Sequence, residues 1–166
     1  MATPYTVCVV CSGNICRSPM GEVVLRARLE QAGLGDQVVV DSAGTGDWHV
    51  GRGADPRTVA ALQARGYDGS AHRAKQFARE WYGQRDLILV ADSGHLRAIQ
   101  AMGPAEDDAA HVHLLRSFDV DAAESGAVEL DDPYYSDDAA FGRCLREVEA
   151  AADGVVSFIK DELARR

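Results

Sequence analysis

The segment from Tyr5 to Pro19, YTVCVVCSGNICRSP, constrains the fold most. Tyr5 to Val10 is a nearly continuous apolar run, as expected for a strand covered on both faces, since a half-exposed strand would alternate polar and apolar residues. The run breaks at a small polar turn containing Gly13 and Asn14. Ser18 then suits the N-cap of a helix and Pro19 its first position. Met20, Val23, Val24 and Ala27 follow at helical spacing as far as Gly33. A doubly buried strand that leads through a turn into a helix is the building unit of a parallel sheet.

The rest of the chain keeps this alternation. A strand at Val38–Val40 precedes a glycine-rich loop, SAGTGDWHVGRG, and a helix near Asp55–Arg65 carries Val59 and Leu62. Leu87–Ala91 reads as a third strand, His95–Met102 as a helix and His111–Leu115 as a fourth strand. From Asp138 a final helix carries Phe141, Leu145, Val148, Ala152, Val155, Ile159 and Leu163, with Gly154 placed to bend it. The expected fold is α/β: a single domain over residues 1–166, with a four-stranded parallel sheet flanked by helices on both faces. Ligands of such sheets bind beyond the carboxyl ends of the strands, where the turn after Val10 lies. Ser117–Tyr135 shows no periodicity, and connections of that length are usually functional or disordered.

The chain has 166 residues, 46% of them hydrophobic, enough for one core. A formal net charge of -9 argues against nucleic acid or an anionic membrane as the main partner, so an anionic substrate must meet locally arranged positive charge. No apolar stretch of about 18 residues could span a bilayer, and the N-terminus lacks a basic signal region, so the expected location is the cytoplasm. Cys8, Cys11 and Cys16 crowd together while Cys144 lies far away, unlike a secreted disulfide framework. Cys8 and Cys144 read as buried small hydrophobes.

A turn between a strand and a helix presents backbone N–H groups without intrahelical partners, and these converge on an anion. Gly13 and Asn14 tolerate the positive φ that a tight cradle needs. Cys11 opens this turn, where the same dipoles and the Arg17 guanidinium favour a negatively charged sulfur and hence a nucleophile. Arg17 can hold two phosphoryl oxygens, and Ser18 can donate to the sulfur when it becomes the leaving group. The Cys-x5-Arg spacing alone is weak; the strand before it and the Ser-Pro after it give it weight. Cys8-Val-Val-Cys11 does not fit a thioredoxin-like pair, because Cys8 lies within the strand, and no second ligand pair supports zinc. No metal or cofactor is implied.

Such a nucleophile needs an acid to protonate the departing oxygen, and Asp131-Asp132-Pro133-Tyr134-Tyr135 offers carboxylates on a stiffened loop. Taken in order, CSGNICRSPM, DSAGTGDWHVG and DDPYY resemble the low-molecular-weight protein tyrosine phosphatases, most closely the bacterial type with a Trp-His pair in the middle loop. The resemblance implies that Cys11 attacks phosphorus to form a cysteinyl-phosphate. Arg17 and the amides of Ser12, Gly13, Asn14, Ile15, Cys16 and Arg17 would hold the phosphate, and Ser18 would assist the sulfur. Asn14 would shape the loop with Ser42 and His72, and Asp132 would serve as general acid and then base. Trp48, His49, Tyr134 and Tyr135 would line the cleft. Cys16 would protect an oxidised Cys11 by closing a reversible disulfide.

Position 12 carries serine where many relatives have threonine or leucine; its amide bears the role, so its side chain is expected to matter little. The implied partners are tyrosine-phosphorylated proteins, with inorganic phosphate as product, for a monomer or weak dimer. Two related activities compete. Arsenate reductases of the thiol-relay type need further cysteines after the third strand, and residues 75–110 contain none. Protein-arginine phosphatases resemble CTGNTCRS, with threonine where this chain has Ile15.

Overall fold

The computed structural model describes residues 3–166. Side chains of β1 (Tyr5–Cys11) alternate between two buried layers: Val7 and Val9 enter one, Cys8 and Val10 the other. That double burial explains the unbroken apolar run. β1 pairs with β2 (Val38–Gly44) and β3 (Leu87–Val90), and β3 pairs with β4 (Val112–Leu114), all in parallel and in the order β2-β1-β3-β4.

The helices are α1 (Arg17–Gln31), α2 (Pro56–Ala64), α3 (Ser93–Gln100), α4 (Val120–Ser125) and α5 (Asp138–Ala164). One layer takes Met20, Val24, Leu25 and Leu29 of α1, Leu62 of α2, and Phe141, Leu145, Val148, Val155 and Ile159 of α5. The other takes Ile99 of α3 together with Phe77 and Tyr82. Each such large apolar side chain contributes about 1.5–3 kcal/mol when fully buried. Connections from β1 to β2 and from β1's other neighbour, β3, run to opposite sides. A crevice therefore opens at the strands' carboxyl ends, with Cys11 closing β1 and Asp92 just beyond β3.

Several element boundaries depart from the sequence reading, each for a local reason. β2 runs on to Gly44 because its polar residues are partnered: Asp41 takes Lys75 and Arg85, both at 2.9 Å, and Ser42 donates to Glu22. α1 starts at Arg17, with Cys16 at the cap position and no side-chain cap, so Ser18 sits inside the first turn and its hydroxyl serves elsewhere. α3 starts at Ser93 because the Asp92 carboxylate accepts from the His95 N–H. The stretch read as aperiodic holds a 3-10 turn (Leu115–Phe118) and α4, whose Asp119 caps it. α5 runs unbroken through Gly154, where a Cβ would lie 2.0 Å from the Phe118 carbonyl oxygen. That glycine serves close packing.

Candidate active site

The loop from Ser12 to Cys16 is shaped by Asn14, fully buried and held at φ 59°. That left-handed conformation costs a non-glycine residue about 1–2 kcal/mol, and its side chain compensates by using every polar atom. Asn14 Nδ2 donates to Ser18 Oγ at 2.7 Å and to Ser42 Oγ at 3.0 Å, while Oδ1 accepts from the Lys75 N–H at 2.9 Å. The Asn14 carbonyl meets His72 Nε2 at 2.6 Å. Gly13, expected to share the positive φ, does not take it. A Cβ there would lie 2.8 Å from the His49 ring, so glycine admits that ring against the loop. Replacement of Asn14 by Ala should cost about 1–3 kcal/mol, because it orphans the Lys75 N–H and takes the donor from two buried hydroxyls. An unchanged urea midpoint at unchanged slope would refute this reading of the loop.

Cys11 is 3% exposed. Its Sγ lies 2.9 Å from Ser18 Oγ and 3.4 Å from the Ser18 N–H. Because Ser18 Oγ already accepts from Asn14, its own proton is free to point at the sulfur. Burial pushes the Cys16 thiol up to about 12, so it is protonated at neutral pH. Cys8 and Cys144 are likewise buried thiols held upward by burial, and all four cysteines are free.

Arg17 is 4% exposed and fixed from behind. Its Nη1 donates to Asp92 Oδ2 at 3.0 Å and to the Leu130 carbonyl at 2.8 Å. Burial works to raise the Asp92 carboxyl, but the His95 N–H, the His95 ring and Arg17 overcome it and hold Asp92 below the usual range. Neither Asp92 nor His95 was expected here. The signal was available in the topology: residues just after a strand adjacent to β1 must reach the same crevice. His95 Nδ1 accepts from the Asp92 N–H at 3.2 Å, which puts the ring proton on Nε2, 2.7 Å from Ser12 Oγ.

Above the loop opens a cleft of about 540 Å³, lined by Cys11, Ser12, Gly13, Ile15, Cys16 and Arg17 below. Trp48, His49, Asp132, Tyr134 and Tyr135 form its sides. Trp48 is 68% and Tyr135 90% exposed, so these two form the mouth rather than the depth of the cleft. Asp132 Oδ2 lies 3.7 Å from Arg17 Nη2, and its Oδ1 accepts from the Tyr134 N–H at 3.1 Å. A residue the sequence reading passed over ties this loop down. Arg57 Nη2 donates to the Tyr134 carbonyl at 3.1 Å and to Asp55 Oδ2 at 3.0 Å, and its guanidinium stacks on Phe141 at 4.4 Å. Asp55 in turn donates its N–H to the Ile15 carbonyl at 2.9 Å. Ser42 and His72 lie beneath the loop and outside the cleft.

Burial holds the His72 and His95 rings below their ordinary value of 6.5. Between that value and their folded-state values, the unfolded chain binds protons that the folded chain does not. Stability should therefore decline as pH drops below about 6.5. A second decline, below the ordinary carboxylate value of 3.8, follows from Asp41, Asp55 and Asp92, whose folded values are lowered. Urea midpoints measured from pH 7 to 5 check the first step; a flat profile would contradict it, and His72→Gln should make the profile shallower.

Among the described residues, no group of three or more His, Cys, Asp or Glu is arranged to hold a metal ion, and no helix is long and apolar enough to cross a membrane. The family model for the low molecular weight phosphotyrosine protein phosphatases matches residues 6–165. A low molecular weight protein-tyrosine-phosphatase of Streptomyces coelicolor is 51% identical over 162 residues, covering 98% of each chain. Low molecular weight protein-tyrosine phosphatase A of Mycobacterium tuberculosis is 42% identical over 165 residues, covering 99% of this chain and 98% of that one. The crystal structure of a protein tyrosine phosphatase from Entamoeba histolytica superposes with a TM-score of 0.87 at 26% identity, over 98% of this chain and 99% of the other. Sequence, fold and the arrangement around Cys11 agree: the chain belongs to the low molecular weight phosphotyrosine protein phosphatase family.

Proposed function

We propose that the protein hydrolyses phosphotyrosine on proteins through a cysteinyl-phosphate. The observation that carries this is the graded exposure along the cleft: Cys11 and Arg17 nearly buried at its floor, Asp132 partly exposed above them, and the Trp48 and Tyr135 rings largely exposed at its mouth. A phenyl phosphate fits that order, because its phosphoryl group must reach the floor while its ring meets His49 and Tyr134.

In the first step Cys11 Sγ forms a bond to phosphorus as the bond to the phenolic oxygen breaks, and Asp132 gives its proton to that oxygen. Charge on the three remaining oxygens is met by Arg17 and the amides of residues 12–17. In the second step water attacks phosphorus and Asp132 takes its proton. The sulfur leaves with its electron pair, stabilised by the Ser18 hydroxyl, and inorganic phosphate departs. Arg17 reaches this reaction with no freedom to wander, since Asp92 and Leu130 hold one of its nitrogens.

Phosphate release from matched phosphotyrosine, phosphoserine and phosphoarginine peptides tests the reading. Release from phosphotyrosine alone is expected. The branched apolar Ile15 beside the phosphate site favours an aromatic ester over a guanidinium nitrogen, and preference for phosphoarginine would overturn that assignment. A reducing compartment, the cytoplasm, suits four free thiols, one of them the nucleophile.

Cys16 has a protective role in the same reading: a Cys11 sulfenic acid condenses with the Cys16 thiol, losing water to form a disulfide that a thiol later reduces. Cys16→Ser should then leave peroxide-treated protein several-fold less recoverable by thiol. Equal recovery would refute the role.

A further inference from the structure

We propose that His95 is a positioning residue that turns the Ser12 hydroxyl into an additional hydrogen-bond donor to the phosphoryl group in the cradle. The inference rests on the loop being a phosphoryl site and goes beyond the roles assigned above, in which only the Ser12 amide takes part.

His95 is 5% exposed, and its Nδ1 accepts from the Asp92 N–H at 3.2 Å. Nδ1 also lies 3.2 Å from Asp92 Oδ1, but only the Asp92 N–H meets it with hydrogen-bond geometry, so the neutral ring carries its proton on Nε2, which faces Ser12 Oγ at 2.7 Å. Ser12 Oγ accepts that proton with one lone pair, so its own hydrogen is directed away from His95. Among the described residues Ser12 Oγ has no second hydrogen-bond partner, and Ser12 lines the cleft floor beside Cys11, Gly13 and Arg17. The acceptor suited to that hydroxyl is an oxygen of a bound phosphoryl group. The chain Nε2–H to Oγ–H to phosphoryl oxygen polarises in one direction, which strengthens its last link.

A role in starting α3 accounts for the Nδ1 contact only; the Nε2 contact leads out of the helix and into the cradle. Asp92 couples the two sides. One carboxylate oxygen takes Arg17 at 3.0 Å and the other caps the His95 N–H at 3.1 Å. The guanidinium and the Ser12 hydroxyl are therefore held at a set spacing by one residue.

The test is the affinity for inorganic phosphate, measured by titration calorimetry on the parent, Ser12→Ala, His95→Phe, the double variant, Ser12→Thr and His95→Gln. A lost hydrogen bond to a charged group weakens binding on the order of tenfold. Ser12→Ala and His95→Phe should each show this loss, and the double variant should lose no more than either single one. Threonine keeps the hydroxyl and glutamine can place an amide N–H near the Nε2 position, so both should stay within about twofold of the parent.

Unchanged phosphate affinity in Ser12→Ala, or losses that multiply in the double variant, would overturn the proposal. A purely structural His95 would give that multiplicative pattern together with a lowered melting temperature. Should His95→Phe fail to fold, the folded His95→Gln takes its place: a tenfold loss of phosphate affinity there, or equal affinities of Ser12→Ala and Ser12→Thr, would overturn the proposal. A parent that binds phosphate but releases none from phosphotyrosine defeats the substrate assignment and leaves this inference standing; a parent that binds no phosphate defeats both.

Discussion

Replacing Cys11 with Ser is expected to lower phosphate release from phosphotyrosine by at least about 10⁴-fold, equivalent to roughly 5 kcal/mol of transition-state stabilisation. A serine hydroxyl holds its proton far more tightly than a thiol and is a poor nucleophile without an adjacent base. Ser18, the nearest side-chain partner of the sulfur, supplies a donor and no base. The cradle itself should survive, because Asn14, His72 and Asp92 hold it without help from the sulfur. Inorganic phosphate should therefore still bind the variant. Burst kinetics of a slow-turnover aryl phosphate, with the cysteinyl-phosphate trapped by acid quench, check the parent. Residual turnover within tenfold of the parent would show that another group attacks phosphorus.

Asp132→Ala should produce the second largest loss, and its size should depend on the substrate. A phenoxide leaving group needs a proton, so phenyl phosphate turnover should fall on the order of 10²-fold or more. A nitrophenyl ester leaves with little help and should suffer less. The carboxylate is suited to the proposed task by place: it lines the cleft, is 42% exposed, and lies 3.7 Å from the guanidinium proposed to hold the transferring group. Equal losses for both esters would remove Asp132 from the leaving-group step. The neighbouring Asp131 is the control, since it does not line the cleft and its substitution should change either rate little.

What could be read from the sequence was whatever depends on neighbours along the chain. The strand, turn and helix around Cys11 are encoded within fifteen residues or so, in an apolar run followed by helix-forming spacing. The error at Ser18 has a physical origin: a serine before proline is a good cap, yet here its hydroxyl is drawn to the sulfur and to Asn14. Long-range groups were less legible. Asp92, His95, Asp55 and Arg57 look like ordinary surface residues in a chain rich in both charges, and only the parallel pairing of β1 with β3 brings the first two to the site. His72 shows the same limit. In the sequence it stands in a polar stretch, while in the fold its ring reaches back 58 positions to the Asn14 carbonyl.

The Arg57 tie bears on how the enzyme meets its substrate. From the Ile15 carbonyl through Asp55 and Arg57 to the Tyr134 carbonyl, the floor of the cleft and the strand of chain bearing the acid are connected by hydrogen bonds without a break. In the proposed mechanism, proton donor and phosphate seat thus form a single stiff jaw. Such a jaw selects by gauge: a phosphomonoester enters a gap already set to its reach, and one too short to span from floor to rim leaves its phosphorus away from the sulfur. Choice among phosphoproteins would then be made at the rim, by Trp48 and Tyr135, before any bond is strained.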